Sequence, residues 1–289
     1  LIYLGSEISH HLASDITYDL FPPATCLVGI SVGLFAAAAA AVSTSLVELV
    51  NYGSESVRIA FAFCLHVGRV SQLLETRGPE ESPKSWAWVV TGLPADVVQA
   101  ELDHFNGDEA ATLTQVSISH IDESSIGVTG PPARLAQLFR QSQVLGSSRH
   151  SLLPVTGGLC HVPNLYTTDD VMAILESADI WERWPSCPVR LPLLSPFTGG
   201  AFSAKNAVDL LQAICTEALT EPLFFDKLPD GVVKHLSNVE VSHCQVLHYR
   251  KSLLSDKIMS AVAGKLSCAS LYRQDLVDWA LQDESMFNG

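Results

Sequence analysis

Residues 27 to 50, LVGISVGLFAAAAAAVSTSLVELV, restrict the fold of this chain more than any other segment. The stretch has no charged side chain before Glu48, but it contains two glycines and six consecutive alanines, and no cluster of Lys or Arg flanks it. A membrane span needs about 20 mostly apolar residues and usually has basic flanks. We therefore expect a buried part of a globular domain here and no membrane span.

The character of this segment changes at a serine. The apolar, β-branched run ATCLVGI predicts a buried strand, and GLFAAAAAAVSTSLVELV strongly favours a helix. Between them, Gly29-Ile30-Ser31-Val32-Gly33 has the G-x-S-x-G form of a nucleophile elbow, in which a serine lies on a strained turn and the glycines leave room where a Cβ would clash. Negative charge developing there would be stabilised by the start of the helix. Ser31 is therefore the candidate nucleophile; the alternative is a small serine that fills a tight turn.

The order of the other predicted elements indicates the fold class. A polar linker at residues 77 to 85 precedes a β-α-β-β-α-β order over residues 86 to 156, which is the ferredoxin-like arrangement. Mixed α and β patterns follow it. We predict an α/β protein with an α/β-hydrolase-like core containing a parallel sheet, formed by residues 1–85 and 157–289. The ferredoxin-like subdomain at 86–156 would be inserted into this core.

Charge and cysteine content exclude several classes of function. The net charge of −14 argues against a nucleic-acid partner, because such binding needs clustered Lys and Arg. The seven cysteines are scattered and never spaced C-x-x-C, which argues against a disulfide framework and against a zinc ribbon. We expect no metal site, and we expect a reducing, cytoplasmic location.

A serine nucleophile needs a base, and one of the ten histidines is best placed to supply it. His161 lies in PVTGGLCHVPNLY, just after the last strand of the predicted subdomain. Clefts form at such loops, where two parts of a fold meet. Cys160 is a rival nucleophile, but no neighbour in the sequence would activate it. We expect the hydroxyl oxygen of Ser31 and the imidazole of His161 to lie close enough to share a proton.

These motifs together resemble the malonyl-CoA:acyl-carrier-protein transacylase fold. More closely, the chain resembles the starter-unit acyltransferase domains of fungal non-reducing polyketide synthases over essentially its whole length. The segments that carry the resemblance are LIYLGSE, GISVGLFAAAAAAVSTSL, PKSWAWVVTGLP, SIGVTGPPARLAQLF and LPVTGGLCHVPNLY.

The resemblance implies a ping-pong acyl transfer with no permanently bound cofactor. Ser31 would take an acyl group from acyl-CoA or an acyl-phosphopantetheine, and His161, oriented by a main-chain carbonyl, would act as general base and then acid. The Val32 N–H and the loop at Gly5 and Ser6 would form the oxyanion hole. The implied partners are an acyl carrier protein and other domains of the same synthase.

Three departures from the family pattern bear on function. Many starter domains carry cysteine where this chain has Ser31, and Gly5 is only 26 positions before it, closer than in the family. Phe63 stands where malonyl-using relatives place an arginine, which favours a neutral acyl group, since an unpaired carboxylate there would lose its solvation. The remaining alternatives are a serine esterase or thioesterase and a catalytically degenerate docking domain.

Overall fold

The computed structural model describes residues 2–5, 25–75, 84–107, 112–163, 165–184, 187–239, 243–248, 253–265 and 267–272. The strands in these ranges are β1 (Ile2–Gly5), β2 (Cys26–Val28), β3 (Ala87–Thr91), β4 (Ser117–Asp122), β5 (Ser125–Thr129), β6 (Arg149–Leu152), β7 (Leu193–Leu194), β8 (Leu223–Phe224), β9 (His243–His248) and β10 (Ser267–Tyr272). The helices are α1 (Gly33–Val42), α2 (Leu46–Leu74), α3 (Ala95–Asn106), α4 (Pro132–Gln141), α5 (Gln143–Ser147), α6 (Thr168–Ser177), α7 (Ile180–Arg183), α8 (Ala207–Thr220), α9 (Lys227–Ser237) and α10 (Leu253–Ala263). The chain divides into two compact units: Leu1–Ser56, Ser186–Leu210 and Asp226–Gly289 form the first, and Val57–Pro185 and Leu211–Phe225 form the second.

The first unit contains a mixed sheet with the strand order β10-β9-β1-β2-β7. Strand β1 runs antiparallel to both β2 and β9, whereas β2 is parallel to β7 and β9 is parallel to β10. The prediction of a parallel sheet is therefore correct for the β2–β7 and β9–β10 pairs and wrong for the two pairs that β1 forms. A buried apolar run predicts a strand, but it does not encode the direction of the strands beside it.

The segment around the predicted elbow folds as strand, turn and helix, as expected. Strand β2 is fully buried, and α1 buries Leu34, Phe35 and most of its alanines. The helix boundary differs from the prediction, because α1 ends at Val42 and α2 begins at Leu46 and continues through residue 74.

Side-chain hydrogen bonds explain the helix break. The Ser43 hydroxyl donates to the carbonyl of Ala39 (2.7 Å), which ends α1. Ser45 Oγ accepts from the Glu48 N–H (3.2 Å), and the Thr44 N–H donates to Glu48 Oε2 (2.7 Å). This is close to a capping box, and it starts α2 where the sequence pattern alone suggests that one helix continues.

Helix α9 is not expected from the sequence, because Pro229 and Gly231 both disfavour helices. Pro229 lies in the first turn of α9, where its missing N–H costs little. A Cβ on Gly231 would lie 1.9 Å from the Gly199 carbonyl oxygen, so the glycine permits close packing of the two segments. Leu228, Val232 and Leu236 are the buried face of this helix.

The second unit contains a sheet with the strand order β6-β3-β5-β4-β8. Strands β3 to β6 are joined by antiparallel pairs, and β8 adds to β4 in parallel. The β-α-β-β-α-β order predicted for residues 86 to 156 is present, with α5 as an addition, and these residues lie within the larger second unit. The ferredoxin-like and α/β-hydrolase-like assignments and the domain boundaries stay predictions.

One helix in the described ranges, Val47–Leu74, is long and apolar enough to cross a membrane, judged by length and composition alone. This helix contributes Ile59, Phe63 and Val67 to the buried interior, but only 22% of its most apolar 18-residue window is buried. The expectation that the domain does not associate with a membrane stays a prediction.

Candidate active site

Ser31 occupies a strained turn between β2 and α1. Its φ angle is +51°, in the left-handed region that a residue with a Cβ rarely adopts. The turn is closed by the Gly33 N–H, which donates to the Ile30 carbonyl (2.9 Å), and by the Leu34 N–H, which donates to the Ser31 carbonyl (2.9 Å). Such strain persists only where the surrounding structure imposes it, and it is common at functional residues.

The two glycines of the motif have different roles. A Cβ on Gly29 would lie 2.8 Å from the Gly33 carbonyl oxygen and 2.9 Å from Leu34 Cα, so this position admits only glycine without movement of the backbone. A Cβ on Gly33 would meet nothing within 4 Å. The prediction that glycine makes room is therefore confirmed for Gly29 and wrong for Gly33.

The start of α1 directs backbone N–H groups toward the turn. Val32 precedes the first helical residue, and its side chain is exposed. Within the described ranges, no backbone carbonyl accepts from the Val32 N–H, whereas the N–H groups of Gly33, Leu34 and Phe35 are all used. The Val32 N–H, at the positive end of the helix dipole, is therefore suited to stabilising an oxyanion on a substrate.

His161 is buried (5% exposed) in the loop that follows β6, and its φ angle of +59° is also in the left-handed region. Its N–H donates to the Ala218 carbonyl (3.0 Å), and the Val162 N–H donates to the Leu219 carbonyl (2.8 Å). The end of α8 therefore holds the backbone on both sides of the imidazole.

The hydrogen bond of the His161 ring determines its tautomer. Nδ1 lies 2.9 Å from the backbone carbonyl oxygen of Glu221. A carbonyl oxygen can only accept, so Nδ1 carries the proton and the lone pair is on Nε2. Burial lowers the pKa of His161 to about 4; the Glu221 carbonyl raises it and the nearby His120 lowers it. The imidazole is therefore neutral at pH 7, as a general base must be.

His120 belongs to the surroundings of His161. In the sheet of the second unit it pairs with Gly127 on one side and with Leu223 on the other. A Cβ on Gly127 would lie 2.0 Å from His120 Nδ1, so the ring lies directly over the glycine, and it stacks on Phe225 with the ring centroids 5.4 Å apart. Burial lowers the pKa of His120, whereas Asp122 raises it.

The other predicted site residues are divided between the two units and the undescribed part of the chain. Gly5 ends β1 in the first unit, which also contains Ser31 and Val32. Phe63 is 2% exposed on α2 and lies in the second unit, as does His161. Ser6 lies outside the described residues. Among the described residues, no group of three or more His, Cys, Asp or Glu side chains could hold a metal ion.

A family model described as "Starter unit:ACP transacylase in aflatoxin biosynthesis" matches residues 2–159, more than half of the chain. The chain belongs to the starter unit:ACP transacylase family. The matched residues include Ser31, Val32 and Phe63 and end two positions before His161.

Among the relatives of this transacylase-family chain is the non-reducing polyketide synthase pkgA of Emericella nidulans. The two are 57% identical over 98% of this chain, and the match covers 15% of pkgA. The chain therefore spans about one seventh of the length of this curated relative.

Solved transacylases have the same α/β fold. MCAT from Streptococcus pneumoniae superposes with a TM-score of 0.57 at 14% identity, covering 92% of this chain and 74% of that one. A malonyl-transacylase solved in complex with its type II PKS acyl-carrier protein superposes with a TM-score of 0.54 at 13% identity, covering 89% and 71% of the two chains. These similarities indicate an acyltransferase fold with a mixed sheet.

Proposed function

We propose that this domain transfers a neutral starter acyl group from an acyl thioester, on coenzyme A or a carrier protein, to the phosphopantetheine thiol of an acyl carrier protein. The observation that carries the proposal is the left-handed backbone of Ser31 at a strand-to-helix turn (φ +51°), the conformation of a nucleophile elbow. The acyl thioester is a substrate, and the chemistry needs no resident cofactor or metal.

The proposed reaction has two half-reactions with the same geometry. Ser31 Oγ attacks the thioester carbonyl while His161 Nε2 accepts the hydroxyl proton. The tetrahedral intermediate collapses, the C–S bond breaks, and His161 returns the proton to the departing thiolate. The thiol of an acceptor carrier then attacks acyl-Ser31 and gives its proton to His161, and His161 returns that proton to Ser31 Oγ as the C–O bond breaks.

Stabilisation of the oxyanion would come from main-chain donors. The Val32 N–H, with no backbone carbonyl partner among the described residues, supports its role as one donor. We propose the loop after Gly5, including Ser6, as the source of the second. Loss of one such donor costs about 100- to 1,000-fold in rate in serine enzymes.

The buried Phe63 supports selection of a neutral acyl chain. It is 2% exposed on α2, where the family resemblance implies that malonyl-using enzymes have an arginine. A malonyl carboxylate beside an apolar side chain would lack a cation, and burying an unpaired charge is costly. Acetyl or a longer neutral acyl group is therefore the proposed substrate.

The proposed partners follow from the family and its relatives. One structural relative is a malonyl-transacylase bound to an acyl-carrier protein, and the chain matches one seventh of a fungal polyketide synthase. We therefore propose that a carrier protein and neighbouring synthase domains contact this domain and that it acts in the cytoplasm. The net charge of −14 favours neither nucleic acid nor an anionic membrane surface.

The test is acyl transfer followed by intact-mass spectrometry. The domain is incubated with acetyl, hexanoyl and malonyl thioesters of coenzyme A, and a holo acyl carrier protein is then added. We expect a mass shift on the domain with the neutral acyl groups, its movement to the carrier, and neither event with Ser31→Ala. Release of the acyl group to water would favour a thioesterase or esterase. Absence of labelling with every thioester would contradict the proposal and would favour a docking domain without catalytic activity.

A further inference from the structure

Helix α2 contacts the loop leading to His161 through a buried serine. Ser71 is 2% exposed, and the backbone N–H of Leu159 donates to its Oγ at 2.8 Å. The two residues are 88 positions apart in sequence, so the bond joins a helix to a distant loop. Loss of the acceptor of a buried N–H is unfavourable, so this bond constrains the position of the loop.

The loop packs against α2 so closely that only glycine fits beside Ser71. Gly158 has a φ angle of +144°, and a Cβ there would lie 2.5 Å from Ser71 Oγ and 3.0 Å from both Val67 Cγ1 and the Val67 carbonyl oxygen. The carbonyl oxygen of Gly157 is 3.5 Å from the position of a Cβ on Gly68. Gly158 therefore permits the close contact between the loop and α2, whereas a Cβ on Gly157 would meet nothing within 4 Å.

Two further contacts hold the segment around His161, one to the backbone of Leu159 and one between α2 and the helix that follows the loop. The carbonyl of Leu159 accepts a hydrogen bond from the Tyr166 hydroxyl, and Tyr166 is itself buried. On α2, His66 Nε2 lies 2.8 Å from Asp170 Oδ1, in the first turn of the helix that follows the loop. Both backbone groups of Leu159 are therefore held, two residues before the imidazole.

We propose that Ser71 is a positioning residue for His161, acting through the backbone of Leu159; this inference rests on the general-base role proposed above. The left-handed backbone of His161 (φ +59°) is unfavourable for a residue with a Cβ and persists only if its neighbours impose it. The Ser71 hydroxyl supplies one of those constraints. Without it, the loop loosens, water reaches the ring, and the Glu221 carbonyl no longer holds Nδ1 in one orientation.

The test compares Ser71→Ala with Ser56→Ala. Ser56 is a matched control, because it is also a buried serine of α2 (4% exposed), but its hydroxyl donates to the Gly53 carbonyl (2.7 Å) within the helix. The imidazole of His161 is titrated by NMR in domains labelled at histidine, with His161→Gln used to assign its resonance. Ser71→Cys, which has a side chain of similar shape, is the second variant should Ser71→Ala not fold.

We expect the pKa of His161 to rise by at least one unit toward 6.5 in Ser71→Ala and to stay near 4 in Ser56→Ala. Acylation of Ser31 should lose roughly 10- to 100-fold in kcat with an unchanged KM, as small misplacements of a catalytic group do. An unchanged titration and kcat in Ser71→Ala, or equal shifts in both variants, would overturn the inference. The titration needs no substrate, so a shifted pKa in a domain that transfers no acyl group would refute the proposed function and leave the positioning intact.

Discussion

The Nδ1 atom of His161 donates a hydrogen bond to the backbone carbonyl of Glu221, 2.9 Å away. A carbonyl partner fixes the tautomer without adding the negative charge of a carboxylate, so the pKa of the ring is not raised by an acid. Burial therefore dominates and lowers the pKa of His161 to about 4. The ring is a base that stays unprotonated well below neutral pH.

The pH dependence of acylation should follow from this. In the proposed mechanism the general base must be neutral, so the rate of Ser31 acylation should be constant from pH 8 to about pH 5 and fall below it, with an apparent pKa near 4. The measurement is the initial rate of acyl-enzyme formation across this range. His161→Ala should lower the rate by about 100- to 10,000-fold, whereas His104→Ala, at an exposed histidine, should not change it. An inflection near pH 6.5 would contradict the account.

The backbone strain at Ser31 should lower the free energy of unfolding by a measurable amount. Ser31→Gly removes the Cβ from a residue with φ +51°, while Ser31→Ala keeps it. We expect Ser31→Gly to unfold with a free energy about 1 kcal/mol higher than Ser31→Ala, since left-handed backbone is unfavourable by that order for non-glycine residues. Urea denaturation compares the two, and neither variant should be acylated. Equal stabilities would mean that the turn carries no strain.

The two glycines of the elbow should respond in opposite ways to alanine. Gly29→Ala places a methyl group 2.8 Å from the Gly33 carbonyl oxygen and should destabilise the domain by about 1–3 kcal/mol, as overpacking does. Gly33→Ala meets open space at the first position of α1 and should be neutral or stabilising by up to about 1 kcal/mol. Thermal unfolding of the pair tests this, and a tolerated Gly29→Ala would show that the turn can relax.

Selectivity for neutral acyl groups should depend on Phe63. Phe63→Arg introduces a cation where the wild-type side chain is apolar, so the ratio of hexanoyl to malonyl acylation rates should fall by roughly 10-fold or more. Phe61→Arg is the matched control, because it lies on the same helix and is 65% exposed. A ratio that changes equally in both variants, or in neither, would show that Phe63 does not determine which acyl group is accepted.

The nucleophile turn was predictable because its chemistry is local. Strand, Gly29, Ser31 and helix follow one another within a few residues, and each has a clear backbone preference. The helix break after Val42 was not predictable from periodicity, because it depends on side-chain bonds of Ser43 and Glu48 that compete with helix continuation. No local sequence pattern encodes the direction of a neighbouring strand, so the sequence does not predict that the first sheet is mixed.

The sequence does not predict most of the residues that surround His161. Its partner at Nδ1 is a backbone carbonyl, which every residue has, so nothing marks Glu221 in advance. Ser71 is one buried serine among several, and its role depends on a loop 88 residues away. The paired glycines at Gly157 and Gly158 did signal a tight bend near His161, and Gly158 is indeed sterically restricted.

The most direct test of the central claim, that Ser31 carries the acyl group, is peptide mapping of the acylated domain by mass spectrometry. The domain is reacted with a hexanoyl thioester, quenched in acid and digested, in parallel with Ser31→Ala and Cys160→Ala. We predict the acyl group on the peptide containing Ser31, in the wild type and in Cys160→Ala, and on no peptide of Ser31→Ala. An acyl group on Cys160, or equal acylation of Ser31→Ala and the wild type, would contradict the account.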